Sequence, residues 1–165
     1  MLMEAFAMRI IFCDVDGVLN HKGCIDRAPG GFTGVVEEHI RNLKRIVDET
    51  GAKIVLSSDW RLIKDDPEYG ENYDYLVKRL QSVAGLVISD HTDDISWSSR
   101  GDEIRKYLED HPEITGYVIL DDIPFTSFDA CNLGDHLILT SERRGLTQKD
   151  ADEAIRKLNG DMQAT

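Results

Sequence analysis

Short apolar runs alternate along the chain with segments in which apolar residues return every three or four positions. Short runs are typical of buried strands, and the wider spacing is typical of amphipathic helices. Five strands are predicted, at residues 9–13, 53–56, 86–88, 117–120 and 136–139. Strands that alternate with helices predict a five-stranded parallel sheet with helices on both faces, a three-layer α/β/α fold. Right-handed crossovers place the first strand in the centre of that sheet.

Helical spacing predicts four helices, at residues 36–47, 73–80, 104–108 and 151–158. Gly51 is expected to end the first helix, and Thr147 with Asp150 to cap the start of the last. The glycine-rich residues 17–34 predict a loop or hairpin, which is too short for a folded cap domain. We therefore predict one domain over residues 1–165, with residues 1–7 as a disordered leader before the first strand.

Composition narrows the classes of function. A chain of 165 residues with 41% hydrophobic residues suits a globular domain. No apolar stretch approaches the roughly 20 residues of a membrane span, and the start does not resemble a signal peptide, so no membrane contact and a cytoplasmic location are predicted. The net charge of −12 disfavours a nucleic-acid binder. Three scattered cysteines argue against disulfides and zinc, and Cys13 is expected to be a small buried residue.

Polar and acidic residues follow three of the predicted strands. Because ligands of open parallel sheets bind beyond the carboxyl ends of the strands, these side chains are expected to converge at one edge. Carboxylates that crowd together there suit a magnesium ion, which prefers oxygen ligands. The residues in question are Asp14, Asp16, Ser57, Ser58, Asp121 and Asp122.

The run DVDGVLN at residues 14–20 resembles the first motif of the haloacid dehalogenase (HAD) superfamily. Ser57, Arg100 and Asp122 resemble its second, third and fourth motif residues, in the right order. The phrase SSDWR at residues 57–61 is similar to a branch found as the phosphatase-like domain of multi-domain RNA repair proteins. The resemblance covers nearly the whole chain. It implies a Rossmann-like HAD fold and a Mg²⁺-dependent phosphatase.

The resemblance also implies a role for each motif residue. Asp14 would attack phosphorus and form an aspartyl-phosphate, while Asp16 would protonate the leaving oxygen and then activate water. Ser57 would bind a phosphoryl oxygen, and Arg100 would offset negative charge. Lys106 competes with Arg100, because the third motif usually carries Lys. Magnesium would be held by Asp14, the carbonyl of Asp16, and Asp121 and Asp122, with the direct ligand of that last pair left open.

Three further residues, Ser58, Trp60 and Arg61, are candidates for substrate binding. A guanidinium at Arg61 suits a phosphate, and an indole at Trp60 suits stacking on a base. The alternative is that Trp60 and Arg61 only pack the loop that leaves the second strand. The five histidines form no close cluster in the sequence, so none is assigned chemistry.

The substrate is expected to be a phosphorylated molecule. An open site admits large substrates, and the resemblance to RNA repair proteins points to a polynucleotide end, whereas the net charge points away from one. A small-molecule or nucleotide phosphatase is therefore an alternative, as is a non-catalytic module that binds phosphate or metal. A phosphoryl-storing receiver domain is disfavoured, because serines rather than a phosphoacceptor Asp end the later strand.

Overall fold

A five-stranded sheet forms the centre of the computed structural model, which describes residues 7–95 and 97–161. All pairings are parallel, and the strand order is β3-β2-β1-β4-β5. The central position of β1 is thus confirmed. The strands are β1 (Met8–Cys13), β2 (Lys53–Leu56), β3 (Ile88–His91), β4 (Ile114–Asp121) and β5 (Leu137–Leu139). The leader predicted at residues 1–7 lies, except for Ala7, outside the described residues.

Helices cover both faces of the sheet, so the three-layer α/β/α prediction is confirmed. Ile11 and Cys13 of β1 pack in a core with α1, α2 and α5, whereas Ile10 and Phe12 point to the other face, against α3 and α4. This alternation follows from the two-residue period of a strand. The helices are α1 (Glu37–Thr50), α2 (Gly70–Ala84), α3 (Arg100–Asp110), α4 (Thr126–Ala130) and α5 (Gln148–Arg156). Shorter turns are the 3-10 helices Asp59–Ile63 and Gly134–His136 and the π-helical turn Lys157–Asp161.

The third strand differs most from its prediction. The apolar run at residues 86–88 overlaps the observed strand only at Ile88. Leu86 is instead a buried residue that follows the left-handed glycine cap of α2, while the strand continues through polar, exposed residues. Because β3 lies at the edge of the sheet, its residues need not be apolar, and hydrophobicity marks only where it begins.

A short flap, residues 20–34, connects the sheet edge to α1 in place of a cap domain. One antiparallel bridge joins Arg27 to Thr33, which agrees with the predicted loop or hairpin. No helix within residues 7–95 and 97–161 has the length and apolar character that would let it cross a membrane.

Candidate active site

The strand register brings three site residues to the same level at the carboxyl edge of the sheet. Cys13 of β1 lies between Leu56 of β2 and Leu120 of β4. The amide of Asp14 donates to the Leu120 carbonyl at 3.0 Å, and the amide of Ser57 donates to the Cys13 carbonyl at 3.1 Å. Backbone pairing therefore fixes Asp14 between Ser57 on one side and the end of β4 on the other.

Asp14, Asp121 and Asp122 form an acidic group at this edge. Each offers one carboxylate oxygen, and these oxygens lie within 4.8 Å of one another. Asp121 is fully buried and Asp14 nearly so. Burial and the negative charge of Asp121 raise the pKa of Asp14 to about 7, although the Arg100 guanidinium opposes this rise. Burial and the charge of Asp121 also raise the pKa of Asp122. An oxygen-only set that is destabilised when fully ionised is suited to a hard divalent cation.

Arg100 contributes the positive charge of the site. Its Nη1 lies 2.8 Å from Asp121 Oδ2 and 3.3 Å from Asp14 Oδ1. The guanidinium also stacks above the ring of Phe125, 5.1 Å from its centroid. Lys106 lies elsewhere, because its ammonium pairs with Asp93 and Asp110 on an exposed face of α3. The geometry therefore favours Arg100 over Lys106.

Asp16 lies in the turn after β1 and is exposed, unlike Asp14. Its Oδ1 accepts from the side-chain Nδ2 of Asn20 at 2.9 Å, and its Oδ2 accepts from the Trp60 indole at 3.2 Å. These two donors orient the carboxylate while leaving it accessible to solvent. An oriented, accessible carboxylate is suited to proton transfer at a bound substrate.

Gly17 lets the chain turn sharply between the two aspartates and the flap. Its φ is +78°, and a Cβ at this position would lie 2.3 Å from Asp122 Oδ2. Its carbonyl accepts from the Thr140 hydroxyl at 2.7 Å, which ties the turn to the end of β5. Glycine is therefore required here both for the backbone angle and for the close approach of Asp122.

Ser57 and Ser58 differ in what their hydroxyls do. Ser57 Oγ is buried and has no hydrogen-bond partner within the described part of the chain. Ser58 Oγ accepts from the amide of Trp60 and caps the following 3-10 helix. A buried hydroxyl without a partner costs free energy, so Ser57 is the residue of this pair that is suited to a ligand oxygen.

The structure does not support direct substrate contact by Arg61. Its side chain is only 2% exposed, and the guanidinium donates to Glu103 Oε2 at 2.6 Å. The same group donates to four backbone carbonyls, those of Ser57, Ser58, Thr92 and Asp93. Arg61 therefore joins the ends of β2 and β3 to α3.

Trp60 is also part of the packing. It is 3% exposed, its ring packs edge-on against Phe32 of the flap, and its indole N–H is used by Asp16. The buried ring cannot stack on a base.

The exposed tryptophan is Trp97, which lies on the loop before α3 with a φ of +67°. Its polar neighbours in the sequence are the signal that could have marked it as exposed.

Cys13 and a pair of histidines, His21 and His39, also lie near the site. Cys13 is buried as predicted, and burial raises the pKa of its thiol, which therefore stays protonated. His21 and His39 are 18 residues apart in sequence, yet their rings form a hydrogen-bonded pair beside the site. No spacing or motif in the sequence indicates this pair.

Comparison with known families decides the assignment. Residues 10–151 match a family model described as the HAD domain in Swiss Army Knife RNA repair proteins. The chain belongs to this family. No curated protein matches the chain.

Membership in the HAD family supports a phosphatase-type hydrolase activity in general terms. HAD domains generally use Mg²⁺, and the acidic group of this HAD domain has the donor chemistry for it. Three carboxylate oxygens within 4.8 Å of one another, with no sulfur or imidazole ligand among them, fit magnesium rather than zinc.

Proposed function

We propose that this HAD domain is a Mg²⁺-dependent phosphomonoesterase that forms an aspartyl-phosphate on Asp14. One observation carries the proposal: the nearly buried carboxylate of Asp14 lies beside two further carboxylates and the Arg100 guanidinium. The adjoining strand is followed by Ser57, whose buried hydroxyl has no partner among the described residues. A structural role does not need three mutually repelling acids at one edge. A site that binds a cation and a phosphoryl group does need them.

In the first step, an oxygen of Asp14 attacks phosphorus and the bond to the leaving alcohol breaks. Asp16 donates its proton to the departing oxygen, so the product leaves as a neutral alcohol. Arg100 and the hydroxyl of Ser57 stabilise the charge on the phosphoryl oxygens. Asn20 and Trp60 hold the carboxyl of Asp16 in place during this transfer.

In the second step, water attacks phosphorus of the aspartyl-phosphate and gives a proton to Asp16. The acyl-phosphate bond breaks, which releases inorganic phosphate and restores the Asp14 carboxylate. Asp16 therefore acts first as an acid and then as a base, and both residues return to their starting state.

Asp14, Asp121, Asp122 and the backbone carbonyl of Asp16 are the proposed magnesium ligands. When bound, the cation neutralises part of the negative charge that would otherwise repel an anionic substrate from Asp14. Asp121 has a second task, because it also accepts hydrogen bonds from Arg100 and from the amide of Ile123. Asp122 is free of those contacts and is the cleaner position for a test.

Magnesium is expected to raise the melting temperature, because a cation that binds only the folded state stabilises it by about 2.7 kcal/mol at a hundred times its Kd. Calorimetry and thermal melts with and without a chelator measure the effect. Asp122→Asn should weaken magnesium binding, whereas Asp129→Asn, an exposed acid on α4 outside the acidic group, should not. Absence of magnesium binding by the wild type, together with activity that a chelator leaves intact, would refute the metal assignment.

Asp16→Asn is expected to lower turnover by about 10²–10³, because proton transfer is lost. Asn still accepts from Trp60 but loses the bond from Asn20, which is also a donor. Because Asp16 is exposed, the melting temperature should change little. The loss should be larger for alkyl phosphates, whose leaving oxygen needs a proton, than for p-nitrophenyl phosphate, whose leaving group does not. Because Asp16 also acts as the base of the second step, the comparison is made on the first step, as the single-turnover release of the alcohol. An equal loss on both substrates in that step would show that Asp16 is not the general acid.

The substrate class that the family supports is a phosphorylated nucleic-acid end. The family description names RNA repair proteins, and the short flap leaves the edge open to a large substrate. The net charge of −12 favours a second candidate, a nucleotide or another small phosphomonoester. Turnover on p-nitrophenyl phosphate, nucleotides, phosphorylated oligonucleotides and phosphopeptides separates the candidates. Lack of turnover on every member of this panel would favour a non-catalytic module.

A cytoplasmic location of the protein stays a prediction.

A further inference from the structure

His21 and His39 lie outside the sequence motifs, yet specific hydrogen bonds hold their rings in place. His21 lies on the flap, and His39 is a buried residue of α1, only 4% exposed. The distance between His21 Nδ1 and His39 Nε2 is 2.8 Å, and His39 Nδ1 lies 3.0 Å from the carbonyl oxygen of Leu146. Both ring nitrogens of His39 are therefore used.

The hydrogen bonds fix the tautomer of both rings. A carbonyl oxygen can only accept, so His39 Nδ1 carries the proton that is donated to Leu146. Burial lowers the pKa of His39 against the opposing effect of the hydrogen bond to Leu146, and the neighbouring His21 adds to the lowering, which keeps the ring neutral. Its Nε2 is then an acceptor, and His21 Nδ1 must be the donor. A neutral His21 consequently presents a bare Nε2 as a hydrogen-bond acceptor.

The surroundings of His39 are shaped to hold it. Gly145 has a φ of +64°, and a Cβ there would lie 2.4 Å from His39 Nε2. The Leu146 carbonyl accepts a second hydrogen bond, from the side-chain Nδ2 of Asn42 at 2.8 Å. His39 is buried, and its Nε2 is the atom that bonds to His21 and orients that ring.

His21 lines an open pocket of about 350 Å³ next to the proposed general acid. Three carboxylates of the lining, Asp16, Asp122 and Glu142, disfavour a second phosphate in this space. Lys22 and Arg27 also line the pocket, but three acids outnumber these two cations, and the Arg27 guanidinium donates to backbone carbonyls of the flap. A pocket rich in acceptors suits a neutral group that carries hydroxyl donors.

We propose that His21 Nε2 accepts a hydrogen bond from a sugar hydroxyl of the leaving group, and that this bond selects phosphorylated sugars with a free neighbouring hydroxyl. This inference rests on the proposed function, because it places the scissile phosphate at Asp14 and the leaving group beside Asp16. His21 is then a specificity residue, and His39 is a positioning residue that acts through it.

Binding measurements test the inference without depending on turnover. The ligands are a nucleoside 3′-monophosphate, the 2′-deoxynucleoside 3′-monophosphate and p-nitrophenyl phosphate, titrated into the Asp14→Asn variant with magnesium at pH 8. With His21 present, the ribose compound is expected to bind about fivefold to tenfold more tightly than the deoxyribose compound, as one hydrogen bond provides. His21→Ala should remove this difference and leave the affinity for p-nitrophenyl phosphate unchanged.

Two variants separate orientation from a general effect on the pocket. Lys22→Ala, at another residue of the same lining, should change the affinity for both nucleotides equally. His39→Ala should remove most of the preference for ribose. Long-range ¹H–¹⁵N NMR should show His21 in the Nδ1–H form in the wild type and a mixture of tautomers in His39→Ala. A purely structural role would not couple this change to a lost preference for ribose at unchanged affinity for p-nitrophenyl phosphate.

Equal affinity for the ribose and deoxyribose ligands in the presence of His21 would overturn the inference. An equal weakening of all three ligands by His21→Ala would do the same. Failure of the proposed function has a different signature: the wild type would hydrolyse no phosphomonoester, while the binding contrast would still decide what His21 does.

Discussion

Asp14→Asn is expected to lower kcat for p-nitrophenyl phosphate by at least about 10⁴, because the amide keeps the shape of the side chain but is not a nucleophile. The fold should survive, since the amide of Asp14 that bonds to Leu120 is part of the backbone. Steady-state kinetics with mass spectrometry of trapped phosphoenzyme provides the measurement. Phosphate transfer at the wild-type rate, or a phosphoenzyme labelled at another residue, would remove Asp14 from this role.

The same variant carries a second expectation about stability. The pKa of Asp14 rises on folding from 3.8 to about 7, so its ionised form is disfavoured in the folded state. Stability is therefore lost as the pH rises through that interval, and the loss is complete above pH 7. Without magnesium at pH 8, Asp14→Asn should melt at a higher temperature than the wild type, and the difference should shrink towards pH 4. A lower melting temperature at pH 8 would show that the pair with Arg100 outweighs burial and repulsion.

Arg61→Ala is expected to destabilise the fold by about 3–5 kcal/mol, the typical result of breaking a buried ion pair from one side. The substitution leaves Glu103 without its ion-pair partner and removes the guanidinium donor from four backbone carbonyls, two of which have no other donor among the described residues. Chemical denaturation measures the free energy of unfolding. At temperatures where the variant is folded, KM for small phosphates should be unchanged.

A double-mutant cycle with Glu103→Gln tests the reason for this loss. The glutamine removes the buried charge, so the double variant should be less destabilised than the sum of the single variants. Additive losses would mean that the pair itself contributes little. A raised KM with an unchanged melting temperature would instead restore the earlier hypothesis of substrate binding by Arg61.

Those parts of the fold that rest on hydrophobic periodicity could be predicted from the sequence. β1, β2 and β4 are buried on both faces, so their residues must be apolar and their runs are visible. β3 could not be placed correctly, because an edge strand tolerates the polar residues Ser89, Asp90 and His91. The central position of β1 followed from crossover handedness, which depends on backbone chirality more than on particular side chains.

The convergence of Asp14, Ser57 and Asp121 at one edge was predictable, because each of them lies at the end of a strand. The roles of Trp60 and Arg61 were not, because residue type does not reveal whether a side chain turns outwards or inwards. Burial of an arginine depends on a partner such as Glu103, 42 residues away in the sequence. The His21–His39 pair likewise exists only through tertiary packing of the flap on α1.

The hydrogen bonds of Arg61 make one side of the site more tightly held than the flap, which matters for protein engineering. Arg61 bonds both to the loop that carries Ser57 and to the helix that carries Arg100. The side of the site proposed to bind the phosphoryl group is therefore held together by buried hydrogen bonds. The flap has a single bridge of its own. Loop exchange between family members is therefore best tried within residues 22–31, which keeps His21 and the contact of Phe32 with Trp60 in place. If the proposed function holds, such an exchange should alter which alcohols are accepted and leave the groups around Asp14 unchanged.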